Sequence, residues 1–370
     1  MSWTTRQLPG VGILGGGFMA GVHAHAARAA GARLIGIASS TPERGRLAAD
    51  RLRTVAYPSV EHLLLDDEID VVHVCTPNAL HAGQVRSILA AGKAVVCEKP
   101  LALGLADAQA LQEAAAGRTA TVPFVYRYHP LVREARERVR SGAAGRIYTI
   151  SGRYLQDWLV RAADDNWRVD PALGGASRAF ADIGSHLVDM LEFVTADRIS
   201  RLAALTSTVL PQRSARDRVG TEDAAAVTFE TTGGAIGTLL VSQVAPGRKN
   251  MLEIEIAFAN ETQLFNQERP DVLWLGGRDG SRVVDRGNGG LSADAARLSV
   301  VPAGHPQGYQ DAFNAFVADT YDALAGGEPE GLPSFADGAR AVAVTEAVLR
   351  SARERTWTEV AAPAALREKV

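Results

Sequence analysis

The sequence predicts an α/β protein in two parts: a doubly wound parallel sheet with helices on both faces, then an α+β region with a large, mostly antiparallel sheet. Three observations carry this reading. The first third alternates short β-rich runs with segments of helical spacing. A glycine-rich turn separates the first strand from the first helix. From 200 to about 301 the chain is mostly strand-like runs divided by turn clusters.

Taken in order, VGILG (11–15), RLIGIAS (33–39), IDVVHVCTP (69–77), AVVCE (94–98) and ATVPFVY (120–126) read as strands. Segments 18–31, 43–53, 79–92 and 105–117 read as helices, three of them closing at Gly31, Gly92 and Gly117. The pattern changes near residues 120–128, which sets the domain boundary and gives parts 1–124 and 125–370. An amphipathic helix (130–141) leads into GRIYTISGRYLQ, which alternates in period two. A Gly-rich bend (174–177) and a helix over 178–195 follow. Helices over 309–326 and 335–353 close the pattern, and no internal repeat is visible.

At 370 residues the chain exceeds what one hydrophobic core usually organises, so two domains are expected. A net charge of −3 offers no basic excess for a nucleic-acid backbone or an anionic membrane. VREARERVR (132–140) interleaves Glu with Arg at helical spacing and reads as a solvated, salt-laced face. Cys75 and Cys97 lie inside apolar runs, which excludes a disulfide framework and suits a reducing compartment. Without a signal-like h-region or a bilayer-length apolar stretch, the expected location is cytoplasmic.

In GILGGGFMAGVHAHA, residues Gly15, Gly17 and Ala20 satisfy G-x-G-x-x-[GA]. The first glycine permits a tight turn, the second lets backbone approach a pyrophosphate, and small Ala20 lets helix pack on strand. The helix N–H groups then face the phosphates, with Phe18 and Met19 opening the helix as nucleotide contacts. At the end of the second strand, where an acid would bond the ribose 2′-OH of NAD, stand Ser39, Ser40 and Thr41, with Arg44 beyond. Hydroxyls and a guanidinium suit a 2′-phosphate, so NADP(H) is favoured, with NAD(H) also accepted. CTPNALH (75–81) adds Thr76, Pro77, Asn78 and His81 as nucleotide contacts or simple helix caps.

VVCEKPL (95–101) ends a buried-looking strand in Glu98 and Lys99, then Pro100. Charges beside a core need a partner or a purpose, and strand ends are where α/β proteins mount their chemistry. AFADIGSHLVDM places Asp182 and His186 four residues apart, which on a helix stacks them on one face roughly 6 Å apart. A carboxylate there can orient an imidazole for acid–base work, and Asp189 extends the stripe. The bland alternative is an ordinary surface or capping contact. A metal is not expected, because no third ligand stands at a recognisable spacing. Trp158, Trp167 and Arg168 lie in an irregular segment as a sugar-stacking lid or as cover for a core edge. Tyr309, His305 and Arg127 complete the substrate-side candidates, and His23 reads as structural.

VGILGGGFMAGVHAHA, VCTPNALH, CEKPLA and GGASRAFADIGSH, in that order, resemble the Gfo/Idh/MocA oxidoreductase family. The motifs span residues 10 to about 200. The resemblance implies a Rossmann domain followed by an α+β domain whose open sheet makes a homodimer or homotetramer. It implies Lys99 on the reacting hydroxyl, Asp182 and His186 as the catalytic pair, and Glu98 at the nicotinamide ribose. The implied activity is hydride transfer between nicotinamide and a secondary alcohol or ketone of a sugar, anhydrosugar or cyclitol. Relatives that cleave glycosides by transient oxidation, and a non-catalytic sugar-sensing regulator on the same fold, are the alternatives.

Overall fold

In the computed structural model, which describes residues 8–287 and 289–361, the chain builds two sheets. The first holds six parallel strands: β1 (Gly10–Leu14), β2 (Arg33–Ala38), β3 (Val55–Ala56), β4 (Val71–Val74), β5 (Ala94–Cys97) and β6 (Ala120–Thr121). Their order is β3-β2-β1-β4-β5-β6, so the winding reverses between β1 and β4. That reversal opens a crevice beyond the carboxyl ends of the strands. Strands such as Val71–Val74 and Ala94–Cys97 are buried at every residue, as a sheet covered on both faces requires.

The second sheet holds β7 (Ile147–Leu155), β8 (Ile199–Ser207), β9 (Ala224–Thr231), β10 (Ile236–Ser242), β11 (Met251–Phe258), β12 (Thr262–Asn266), β13 (Val272–Gly277), β14 (Gly280–Asp285) and β15 (Thr358–Glu359). The order is β14-β13-β12-β11-β7-β10-β9-β8-β15, and β7 with β10 makes a parallel pair within an otherwise antiparallel sheet. Strand β10 alternates exposed and buried residues, because one face meets helices and the other is open. On the covered face lie helices Pro130–Arg140, Ser185–Thr195 and Phe335–Glu354, packed around Leu187, Leu191, Phe229, Leu239 and Val344.

Two stretches differ from the sequence reading, and strand β3 and the short helix Val60–Leu64 are additions to it. The strand expected over 120–126 stops at Thr121 and gives way to a tight helical turn at Val125–Tyr128. Pro123 has no N–H for a ladder, and the run is apolar because Val122, Phe124 and Val125 are buried, not because it is extended. The helix expected over 178–195 begins as a wide π-helical turn, Phe180–Gly184, before the regular helix Ser185–Thr195. A Cβ at Gly184 would sit 2.7 Å from the Phe180 ring, so glycine lets the widened turn close on that ring. Helix Tyr309–Leu324 returns to the first sheet, where Phe313, Phe316, Val317 and Tyr321 pack with Val11, Ile13 and Ala24.

Candidate active site

The glycine loop has the shape that a dinucleotide demands. Gly15 sits at φ +96°, where a Cβ would come within 2.6 Å of the Cys75 carbonyl oxygen. Gly17 faces open space, and no side chain caps the helix Phe18–Ala29. Its first N–H groups are therefore left for an anion. Ala20 is fully buried against the sheet, while Phe18 is 80% exposed and Met19 is partly buried at the rim. Ser39 lies beside Gly16, and Arg44 Nη1 donates to Ser40 Oγ at 3.2 Å. Arg51, which the sequence reading passed over, donates from Nη2 to the Gly16 carbonyl at 2.7 Å. The residues present fit a nicotinamide dinucleotide.

The β4 end is more committed than the motif suggests. Thr76 Oγ1 donates to Gln84 Oε1 at 2.7 Å, and Pro77 leads into a short helical turn. Asn78 Nδ2 donates to the Gly174 carbonyl at 2.9 Å. His81 is fully buried, with its two ring nitrogens on the carbonyls of Pro100 (2.8 Å) and Thr76 (3.0 Å). Burial favours the neutral ring, whose single N–H donates to one of these carbonyls at a time, so His81 sits buried between two strand-end loops.

At the β5 end, Lys99 Nζ donates to Asp182 Oδ1 at 2.6 Å and to the Asp182 carbonyl at 2.8 Å. Arg168 Nε reaches the same Oδ1 at 3.2 Å, and Gln243 Nε2 donates to Oδ2 at 2.8 Å. Burial would push the Asp182 carboxyl up, but Lys99 and Arg168 outweigh it and hold it far below the usual carboxylate range. Asp182 thus fixes the ammonium; it makes no hydrogen bond to His186. The widened turn between them removes the regular four-residue stacking, and the expected carboxylate–imidazole hydrogen bond is replaced by a carboxylate–ammonium one.

His186 stands on edge between two rings, 5.0 Å from Tyr126 and 5.7 Å from Phe124 between centroids. Burial, then the nearby Lys99 charge, push its imidazole down to about 3. It is neutral at physiological pH, and its buried Nδ1 has no protein partner among the described residues. Glu98 closes the group. Burial would raise its carboxyl, but a hydrogen bond from His23 and the nearby Lys99 charge leave it lowered. Tyr309 borders the same space, its phenol pushed well up by burial and by Glu98.

The irregular segment that carries Trp158, Trp167 and Arg168 is wired into this group. Arg168 stacks on Trp167 at 4.4 Å while it bonds Asp182. Trp158 Nε1 donates to Gln156 Oε1 at 2.8 Å, and Gln156 Nε2 donates to Asn250 Oδ1 at 2.9 Å. Asn250 in turn bonds the hydroxyls of Tyr154 and Tyr126, the ring beside His186. Arg127 does not join them. Its guanidinium is buried in ion pairs with Asp189 and Asp337 and stacks on Phe193, so the expected substrate contact is corrected to a structural one. The same pairing removes Asp189 from the catalytic stripe. His305 is exposed, apart from the cluster. Gln243 went unnoticed in the sequence, yet it carried a signal: it continues the inward parity of Leu239 and Val241, where a polar side chain needs a reason.

Comparison with known proteins decides the relationship. Residues 10–126 match the family described as "Oxidoreductase family, NAD-binding Rossmann fold", and residues 132–261 match the GFO/IDH/MocA C-terminal domain. Levoglucosan dehydrogenase of Pseudarthrobacter phenanthrenivorans is 32% identical over 95% of this chain and 97% of its own. The chain belongs to the Gfo/Idh/MocA oxidoreductase family. A solved levoglucosan dehydrogenase, in complex with NADH and levoglucosan, superposes with a TM-score of 0.88 at 31% identity, covering 96% of this chain and all (100%) of the other. A relative from Haloferax volcanii, named D-xylose 1-dehydrogenase (NADP(+)) 2, is 35% identical over 44% of this chain and 50% of its own. The two matched Gfo/Idh/MocA segments contribute complementary halves of the cluster: 10–126 holds the glycine loop, Glu98 and Lys99, while 132–261 holds Arg168, Asp182, His186 and Gln243.

A separate concavity lies on the open face of the second sheet, lined by Arg153, Thr228, Thr238, Glu253 and Trp357. Lacking the glycine loop, Lys99 and His186, it is not the site of chemistry. Among the described residues no cluster of His, Cys, Asp or Glu could hold a metal ion, and no helix is long and apolar enough to cross a membrane.

Proposed function

We propose that this protein is an NAD(P)-dependent dehydrogenase acting on a secondary alcohol of a sugar, anhydrosugar or cyclitol, with NADP(H) preferred over NAD(H). The observation that carries it is the meeting of Lys99, Asp182 and Arg168 at the end of β5, with the neutral imidazole of His186 close enough to feel the Lys99 charge. The two curated relatives described above, a levoglucosan dehydrogenase and a D-xylose 1-dehydrogenase, support the substrate class.

Residues 15–20 and the N-terminus of helix Phe18–Ala29 would hold the pyrophosphate; Ser39, Ser40 and Arg44 would hold the adenosine ribose or its 2′-phosphate. The bound nicotinamide supplies the hydride acceptor. The protein supplies the rest. Lys99, kept in place by the carboxylate and carbonyl of Asp182, presents an ammonium that stabilises negative charge growing on the substrate oxygen. His186, neutral before the reaction, accepts the hydroxyl proton; in the ketone direction it returns it. Arg168 on Trp167 and the Trp158 segment cover the sugar and exclude water. Domain assignment follows the same logic: 1–124 for the dinucleotide and 125–370 for the substrate and for subunit contacts. Leu205, Ile236, Leu240, Val283 and Trp357, exposed on the open sheet face, support a homodimer or homotetramer. A cytoplasmic location fits its two free thiols, Cys75 and Cys97.

The test is a screen of aldoses, cyclitols and anhydrosugars with both cofactors, followed by reduced-nicotinamide absorbance. Accumulating NAD(P)H from a free sugar is the expected result; no turnover with any of these classes would overturn it. Arg44→Ala should raise the NADP KM and leave that for NAD nearly unchanged. A higher kcat/KM with NAD in the native enzyme would reverse the cofactor assignment.

A further inference from the structure

Behind Glu98 runs a buried polar chain that the proposed chemistry does not use. His23 Nε2 meets Glu98 Oε1 at 3.0 Å, and His23 Nδ1 meets His73 Nδ1 at 2.9 Å. His73 Nε2 meets the Tyr321 hydroxyl at 3.1 Å. The four groups come from four elements: helix Phe18–Ala29, strand β4, the end of β5 and helix Tyr309–Leu324. His23 and His73 are fully buried and Tyr321 is 2% exposed, so no proton in the chain can turn to bulk water.

Those contacts leave little freedom. The Tyr321 hydroxyl has one proton, and His73 Nε2 is its side-chain partner among the described residues. Accepting there would bury that proton without an acceptor, a cost of about 1–3 kcal/mol. The hydroxyl therefore donates, which places the His73 proton on Nδ1. His73 then donates to His23 Nδ1, which leaves the His23 proton on Nε2, aimed at Glu98. Burial keeps His73 neutral, as this direction needs. The other Glu98 oxygen, Oε2, accepts the Lys99 backbone N–H at 3.2 Å. Both carboxylate oxygens are thereby held by donors on fixed backbone and rings.

We propose that Tyr321, His73 and His23 form a one-way hydrogen-bond relay that keeps Glu98 an oriented carboxylate at the mouth of the dinucleotide crevice. His23, His73 and Tyr321 are positioning residues in this scheme. The inference rests on the dinucleotide reading above for its consequence, but not for its geometry. Because the arrangement leaves His23 neutral, Glu98 keeps its full charge in the site. The groups around that charge are Lys99, His186 and Tyr309 on the substrate side, with His81, Cys75 and Cys97 along the strand ends.

The experiment is two-bond ¹H–¹⁵N NMR of the histidine side chains in the full chain from pH 8 to 6, with the Kd for NADH and NADPH read by fluorescence. In the native protein His23 should appear as the Nε2–H tautomer and His73 as Nδ1–H. Tyr321→Phe deletes one oxygen at the far end of the chain. It should free His73 to exchange tautomers and weaken reduced-dinucleotide binding roughly 3- to 10-fold. A doubly protonated or Nδ1–H His23 in the native protein at neutral pH would overturn the relay, as would unchanged tautomers and Kd in Tyr321→Phe. Should that variant fail to fold, the native tautomer pattern decides alone. If native protein binds neither dinucleotide, the function reading fails, while the tautomers still judge the relay.

Discussion

Replacing Lys99 by Met isolates the ammonium, because the methionine stem fills the same space without charge. In the structure Nζ has two acceptors, the Asp182 carboxylate and the Asp182 carbonyl, and the paired side chains are 11% and 14% exposed. Removing one partner of a buried pair costs about 3–5 kcal/mol. Here Arg168 and Gln243 still bond the carboxylate, so the expected stability loss is nearer 2 kcal/mol. The sign with pH follows from Asp182, whose folded carboxyl is depressed largely by Lys99. Its stabilisation is present above the unfolded carboxylate range and disappears as pH falls through the folded value, so the difference between variant and native protein should shrink in acid. For catalysis, losing one preorganised donor at a developing oxyanion costs roughly 100- to 1,000-fold in kcat. A second readout separates this from simple misfolding. Lys99 depresses His186, so its removal should move the imidazole upward from about 3. Steady-state kinetics on the screened sugar, with histidine NMR, measures both. A kcat within roughly threefold of native, or a His186 titration that does not rise, would refute the assigned role.

Two other outcomes are expected. Gly15→Ala puts a Cβ 2.6 Å from the Cys75 carbonyl at φ +96°, which should cost about 1–3 kcal/mol and abolish dinucleotide binding; full NADPH affinity by fluorescence would contradict the loop assignment. Acid should destabilise the protein before its carboxylates titrate. His186 is depressed to about 3 and His129 to about 4 by burial, so below the ordinary imidazole range the unfolded chain binds protons that the folded chain refuses. Each contributes a stability loss of about 1.4 kcal/mol per pH unit as pH falls from roughly 6.5 toward those values. Urea midpoints that stay flat from pH 7 to 5 would rule this out.

Short-range pattern was enough for four of the six parallel strands, the four longer helices between them, the glycine loop and the charged end of VVCEKPL, but not for the two-residue strand Val55–Ala56 or the short helix Val60–Leu64. Each legible feature depends on period and on turn chemistry that neighbouring residues carry. The same pattern misled at 120–126, where buried apolar residues look alike in a strand and in a tight turn. Where side chains aim was another matter. Arg127 is claimed by Asp337, and Asp182 turns to Lys99 because a widened turn precedes His186. Gln243 and Tyr321 reach the site, or the groups behind it, from strands and helices far along the chain. Local sequence sets backbone periodicity, whereas the partner of a buried charge is whichever group the fold delivers within hydrogen-bond reach. That choice is made by packing over hundreds of residues, and it turned a list of candidates into a cluster.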